Sequence, residues 1–428
     1  MNKKVVNNAK WIIICRIAQS LLQLVIGMLS ARYLGPENYG LINYAGSVVA
    51  FVVPFTQLGL NATLVRELID SPEREGEIMG TSLCLSSLCG CLGVMTVCAA
   101  VLLMNPGEIE TLIVCGLYSL SLIFRGMELI QYWFHSKLQS KYPSIAMVVS
   151  YVVVSLYKIY LLVFAKSIFW FAVVHSIEYG IVAFLLLFIY RRQKNQAFSV
   201  SGAMARRLLK RSKFYILSSM MVTLFQNTDH IMLRQIAGDA ENGFYSAAIT
   251  CAGVCQFVYT AIIDSARPSI LTCKKEGGAN YEKNISRLYC VIIYLALMQG
   301  VGMTLFSRLI VTILYGGQYA QTAPVLRLLV WYVGFSYMGS VRNIWILAEG
   351  KQSMLWKINL AGAGANILLN LCLIPLWGAS GAAFASLLTQ AFTNFILNFL
   401  HPALRTNSRL ILKGLDPRLI LEFVRKRG

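Results

Sequence analysis

Apolar runs of about 20 residues recur from one end of the chain to the other, and each is long enough to cross a hydrocarbon layer roughly 30 Å thick as a helix. Bounded by polar or Gly- and Pro-containing breaks, they fall near residues 11–33, 39–60, 79–104, 111–132, 144–165, 168–190, 213–236, 244–264, 287–312, 322–347, 354–375 and 380–400. Backbone groups in lipid must be satisfied within a helix or a closed barrel, and these runs lack the two-residue alternation of barrel strands. The expectation is an all-α integral membrane protein with twelve transmembrane helices. Composition agrees: 57% of the 428 residues are hydrophobic and 13% charged, about half the roughly 25% charge of an ordinary soluble domain. A soluble enzyme and a disordered chain are both excluded.

The net charge of +19 admits nucleic acid as a partner until the charges are located. With the N-terminus placed in the cytoplasm, 29 of the 38 basic residues fall in inner segments, and the outer loops hold only Lys166. That bias is a positive-inside signal: it predicts both termini in the cytoplasm and removes the argument for nucleic acid. The basic start followed by an apolar stretch is read as the retained first helix, since Arg16, Gln19 and Gln23 interrupt any secretory h-region. Ten of the eleven cysteines lie in expected spans without a Cys-x-x-Cys pair, and His135, His175, His230 and His401 are scattered, so no metal site is expected.

The most basic interior stretch, Arg191 to Lys213, divides the spans six and six. The expected organisation is a six-helix bundle over 1–190, a basic cytoplasmic linker over 191–212, a second six-helix bundle over 213–400 and a basic cytoplasmic tail over 401–428. The end of the linker reads equally as an amphipathic helix on an anionic leaflet or as a solvated connection. An internal echo supports duplication. RYLGPENYGLINYA from Arg32 and RQIAGDAENGFYSAA from Arg234 each set an Arg at a helix end, then two glycines five apart (Gly35 and Gly40, Gly238 and Gly243). Such pseudo-symmetric halves suit a transporter, and the glycines suit the tight turn of an outer hairpin.

An unpaired charge at mid-bilayer costs at least about 2.5–3.5 kcal/mol, so deep ionisable residues are the functional candidates. At 1.5 Å per helical residue, Arg125 lies roughly 21 Å from the outer end of its span, with Glu128 three residues on. Lys158 and Glu178 lie at similar depths in consecutive antiparallel spans and are placed to pair. Asp229 is about 24 Å into the seventh span, beside Asn227, Thr228 and His230. Arg16 and Arg342 are about 8 Å from inner ends, while Arg32, Arg234 and Arg308 sit near outer ends and can snorkel. Eight span-associated cations stand against four anions, Glu128, Glu178, Asp229 and Asp264. That surplus suits an anionic substrate such as a phosphate, which Arg forks and Lys point charges both bind.

The N-terminal pattern, a basic start, Trp11 and then SARYLGPENYGLINYA, resembles the polysaccharide-biosynthesis flippases, the Wzx-like branch of the multidrug/oligosaccharidyl-lipid/polysaccharide exporter superfamily. TDHIMLRQIAGDAENGFYSAA from Thr228, YGGQYAQTAPVLRLLVW from Tyr315 and LWGASGAAFASLLTQ from Leu376 carry the same resemblance through the second half. It implies two six-helix bundles around a central cavity, working by alternating access. Similar proteins move an undecaprenyl-diphosphate-linked oligosaccharide to the outer leaflet for O-antigen, capsule or related polymers. Arg16, Arg32 and Asp229 match positions where the family places charge, whereas Arg125, Lys158 and Glu178 are selected by depth. The full expectation is headgroup binding by Arg16, Arg32, Arg125, Lys158, Arg234 and Arg342, with ion coupling at Asp229 and Glu178. No cofactor is expected beyond a proton or sodium gradient, and no GxxxxGK[ST] motif is present. Expected partners are the lipid-linked glycan, membrane lipids and polysaccharide polymerase machinery, around a monomer. The rivals are a multidrug or small-metabolite antiporter of the same fold, and a membrane polymerase or acyltransferase. The antiporter predicts acidic deep residues; the enzyme predicts a large outer loop, whereas every outer loop here is short.

Overall fold

The computed structural model describes residues 3–193, 196–275 and 280–419, with side chains from residue 24 onward except at position 62. Among the described residues there are helices and turns and no strand. The helices are α1 (Lys3–Thr56), α2 (Leu60–Asp70), α3 (Glu75–Met104), α4 (Ile109–Ser119), α5 (Ser121–Arg125), α6 (Ile130–Ser136), α7 (Lys141–Val163) and α8 (Ile168–Arg192). They continue with α9 (Gly202–Ala237), α10 (Asp239–Ala252), α11 (Gln256–Lys275), α12 (Tyr281–Tyr315), α13 (Thr322–Ala348), α14 (Ser353–Ala391), α15 (Leu397–Leu400) and α16 (Arg405–Gly414).

Every expected span falls on helix. Eight helices among the described residues, the first being Leu24–Thr56 and the last Ser353–Leu400, are long and apolar enough to cross a membrane by length and composition. Two of these carry a pair of expected spans each, because α1 breaks at Gly35 and α14 at Gly378. The seventh and tenth spans lie on α9 and α13, whose apolarity is diluted by Asn227, Thr228, Asp229 and His230 in one and by Arg327 and Arg342 in the other. The protein is a multi-pass, all-α membrane protein.

The chain divides into two compact units, the first comprising residues 1–34 and 38–227 and the second 35–37 and 228–428. The division within the sequence thus falls inside α9, between Asn227 and Thr228. The internal echo has a physical basis in both turns: Gly35 has φ 75° and ψ 170°, and Gly238 has φ 95° and ψ 177°. That corner of backbone space is nearly closed to residues with a Cβ. The chain kinks there between helical segments.

In the first unit, the basic segments gather at one end around an apolar core. Leu60, Leu64 and Leu68 of the amphipathic helix α2 pack with Ile78, Met79, Trp133, Phe134, Leu186 and Tyr190. The stretch after α8 lies along the start of α3: Gly76 N donates to Gln196 Oε1 (3.0 Å), and Ser199 N donates to Gly76 O (3.2 Å). A Cβ at Gly76 would collide with the Ala197 carbonyl. Met204 and Leu208, at the start of α9, enter the same core. Arg207 and Arg211 hold the buried Glu67, Arg207 at 3.0 Å. The amphipathic end of the expected linker therefore turns its apolar face to protein, leaving Arg206 and Lys210 exposed.

In the second unit the core joins Tyr259, Ile285, Tyr289, Ile292, Val341, Trp345 and Ile346 to Leu404, Leu410 and Ile411. The expected cytoplasmic tail thus begins with a structured helix, α16, built into the bundle. Tyr289 OH donates to Asn407 Oδ1 (3.0 Å) and Tyr294 OH to the Leu415 carbonyl (2.9 Å). Between α14 and α15 a π-helical turn, Phe392–Ile396, interrupts the regular ladder.

Candidate functional site

Each unit carries one deep cluster of ionisable groups. In the first unit it is assembled from the α4–α6 segment, α7 and α8. Ser176 Oγ donates to the Leu117 carbonyl (2.7 Å) and Ser150 Oγ to the Glu178 carbonyl (2.8 Å). These bonds set α8 against both neighbours and fix which side chains meet. Arg125 and Glu128 form no ion pair despite their three-residue spacing, although the chain stays helical through Gly126 and the 3-10 turn Met127–Leu129. Arg125 turns instead to α8: its Nη2 donates to Tyr179 OH (2.6 Å), and its guanidinium carbon stands 4.3 Å from the centre of that ring. The Arg125 Nε is buried without a partner.

Lys158 and Glu178 are also close enough to feel each other's charge, as the depth argument expects. Glu178, however, lies beside His175, whose Nδ1 is 3.3 Å from Oε2. The half-buried Lys158 ammonium makes no hydrogen bond or ion pair to any described residue. Tyr118 meets the His175 ring edge-on at 4.5 Å. The cluster therefore offers one unengaged ammonium and one unengaged guanidinium nitrogen, bordered by aromatic rings.

In the second unit the cluster is centred on Asp229, which is 6% exposed. Its Oδ1 accepts from Asn370 Nδ2 (2.6 Å), and its Oδ2 from Tyr245 OH (2.7 Å) and the Ser386 hydroxyl. Asn370 Nδ2 also reaches Asn366 Oδ1 (3.2 Å), and Asn366 Nδ2 reaches Ser386 Oγ (3.3 Å). Four helices, α9, α10 and the two parts of α14, converge here. The three donors, one amide and two hydroxyls, are all neutral. The amide oxygen of Asn370 is buried with no partner. Nearby, His230 Nδ1 lies 2.8 Å from Asn242 Oδ1.

The remaining sequence candidates are placed apart from these clusters. Arg234, 7% exposed, grips Asp239 across the Gly238 turn with Nε at 3.0 Å and Nη2 at 3.4 Å. Arg342, 2% exposed, donates from Nη1 to the Thr393 carbonyl (2.6 Å) in the π-helical turn and from Nη2 to Asn343 Oδ1 (3.1 Å). Arg32 is exposed, and the side chain of Arg16 lies outside the described residues. An apolar groove of about 530 Å³ in the first unit, lined by Phe51, Phe55, Leu92, Met220 and Leu224 among others, contains none of these charged groups. Among the described residues, no group of three or more His, Cys, Asp or Glu side chains is arranged to hold a metal ion.

Sequence reasoning did not single out His175, Tyr245, Asn366, Asn370 or Ser386. The asparagines carried a readable signal, since two amides four residues apart on one helical face of an apolar span must find partners.

An all-helical membrane chain with deep charge clusters in each of two units belongs, by fold, with the transporters. One solved structure, titled lipid II flippase MurJ in an inward closed conformation, superposes with a TM-score of 0.74 at 14% identity, over 96% of this chain and 92% of that one. An inward-facing multidrug resistance MATE family transporter of the MOP superfamily superposes with a TM-score of 0.64, also at 14% identity, over 94% and 98%. The chain belongs to the polysaccharide biosynthesis protein family, whose model matches residues 5–272, more than half of its length. A capsular polysaccharide biosynthesis protein, CapF of Staphylococcus aureus, is 21% identical over 399 residues, which cover 90% of this chain and 96% of that protein. The chain is thus a member of the polysaccharide biosynthesis protein family with the fold of the flippase and multidrug transporter structures on which it superposes.

Proposed function

We propose that the protein flips an undecaprenyl-diphosphate-linked oligosaccharide from the cytoplasmic to the outer leaflet of the bacterial plasma membrane by alternating access, with both termini cytoplasmic. The observation that carries this reading is the Lys158 ammonium, deep in a spanning helix and without a partner, in the same cluster as the partly unengaged Arg125. Polar groups taken into hydrocarbon cost several kcal/mol each unless they are partnered. A diphosphate meets that requirement, because it replaces its lost hydration with an Arg fork and a Lys point charge. Tyr118, Tyr179 and His175 supply ring faces beside it for sugars.

Asp229 is the proposed coupling group for a proton or sodium ion, since its charge is screened only by neutral donors that can rearrange around a cation. Arg234 and Arg342 act in this reading through the backbone features they hold, a turn and a π-helical segment. Arg125→Ala combined with Lys158→Ala tests the assignment in cells. Surface glycan should disappear and lipid-linked units accumulate on the cytoplasmic side, with the protein at normal abundance. Normal surface glycan in that variant contradicts the assignment.

A further inference from the structure

The cluster in the first unit is not simply cationic. The α4–α6 segment contributes Tyr118, Arg125 and Glu128, α7 contributes Tyr151 and Lys158, and α8 contributes His175, Glu178 and Tyr179. With His175 neutral, two cations face two carboxylates, and the cluster has no net charge to offer an incoming anion. Glu128 is engaged by Gln131 and is felt by Arg125. Glu178 is the carboxylate that reaches both cations electrostatically and also lies beside a histidine, 3.3 Å from Nδ1. Like a bound phosphate, it competes for Lys158 and Arg125.

We propose that the His175–Glu178 pair is a proton-binding site, separate from Asp229, that loads one proton when an anionic headgroup docks on Arg125 and Lys158. This rests on the headgroup reading above. One proton on the pair cancels the carboxylate's competition and changes the cluster from neutral to singly positive, whichever of the two side chains carries it. Histidine is the side chain whose ordinary range lies nearest neutral pH, and here its Nδ1 is buried without a hydrogen-bond partner while the side chain is 37% exposed. Tyr118 holds its ring from one side, so the pair has a fixed geometry in which to share the proton. Binding of headgroup and of proton then favour each other, as linkage requires.

The test uses the full chain in detergent micelles, with farnesyl diphosphate as the headgroup probe, titrated between about pH 5 and 8. The probe's own ionisation is common to every variant, so differences between profiles report the protein's proton. In the wild type, affinity should fall as pH rises, by up to about tenfold per pH unit beyond the fall that the probe alone causes. Glu178→Gln imitates the neutral carboxyl. It should bind about tenfold or more tighter than the wild type at the alkaline end, with the difference vanishing at the acid end. His175→Phe keeps the ring packing on Tyr118 but removes the proton acceptor, so it should bind weakly across the whole range. A gain of affinity in one variant and a loss in its neighbour is not produced by misfolding. Profiles of both variants parallel to the wild type overturn the proton site and leave the headgroup site intact. No binding by any form at any pH overturns the headgroup reading as well.

Discussion

The two units solve the same problem, a charge held deep in an apolar bundle, with opposite signs and opposite degrees of completion. In the first, Arg125 and Lys158 keep donors unspent, and their nearby carboxylates do not close on them. In the second, the single carboxylate of Asp229 is enclosed by Asn370, Tyr245 and Ser386. A cluster with spare donors is fit to receive an anion; one whose anion is saturated by neutral groups is fit to exchange a small cation. The turns at Gly35 and Gly238 share one backbone geometry, whereas the deep residues of the two units differ in chemistry.

The largest effect expected in breaking this comparison comes from the closed cluster. Asp229→Leu leaves the Asn370, Tyr245 and Ser386 donors buried without an acceptor, each costing about 1–3 kcal/mol. Thermal unfolding in detergent should report a marked destabilisation. Asp229→Asn, which retains an acceptor, should be milder in stability yet remove any sodium or pH dependence of flipping. An unchanged ion dependence in Asp229→Asn would separate the cluster from coupling.

A smaller effect tests the feature that the two halves hold in common. Gly35→Ala and Gly238→Ala each force a side chain into the same disfavoured conformation, at a cost of about 1–3 kcal/mol. A Cβ at Gly238 meets nothing within 4 Å, and one at Gly35 meets only Gln318 Oε1 at 3.7 Å. The cost is therefore conformational, and unfolding measurements should give similar losses for the two variants. A large loss in one and none in the other would show that the echo is not a shared turn.

The smallest effect lies at the basic end of the second unit. Burial pushes the Glu349 carboxyl upward, but hydrogen bonds from Lys274 (2.6 Å) and Tyr281 (3.0 Å), with the charges of Lys274 and Lys351, outweigh it and hold the carboxyl below its usual range. A lowered folded value means that stability is present above the unfolded carboxylate's range and is lost as pH falls through the folded value. Partial exposure limits the pair to no more than about 1 kcal/mol. Glu349→Gln should lower the melting temperature slightly at neutral pH, with the difference closing at strongly acid pH.

The spans were legible because solvent dictates them: about 20 apolar residues per crossing leave a mark that no packing detail can erase. The outer turns were legible through Gly35 and Gly238, whose backbone demands a residue without a Cβ. Depth alone picked out Arg125, Lys158 and Glu178, and with the family resemblance Asp229, because burying charge in lipid is costly wherever it occurs. Sequence reasoning named both Arg342, whose guanidinium holds the Thr393 carbonyl, and Lys158, whose ammonium holds nothing, as headgroup ligands. That difference depends on a π-helical turn fifty residues away in sequence. Arg125 and Glu128 do not close on each other because Arg125 is engaged by Tyr179 of α8, a contact that spacing along one helix does not reveal. The Asp229 donors are contributed by residues 16, 141 and 157 positions away, and only the folded bundle brings them together. Helices α2 and α16 escaped notice because their amphipathic pattern is short and lies outside the spanning runs.

The central claim is that Arg125 and Lys158 of the first unit hold the lipid diphosphate. Its most direct measurement is the affinity of the purified protein for an undecaprenyl-diphosphate-linked glycan, compared between the wild type and Lys158→Met. Loss of one charged contact of about 1.5–3 kcal/mol predicts an affinity weaker by about 10- to 100-fold, with the melting temperature unchanged because Lys158 holds nothing in the resting cluster. Equal affinity in the two proteins would contradict it.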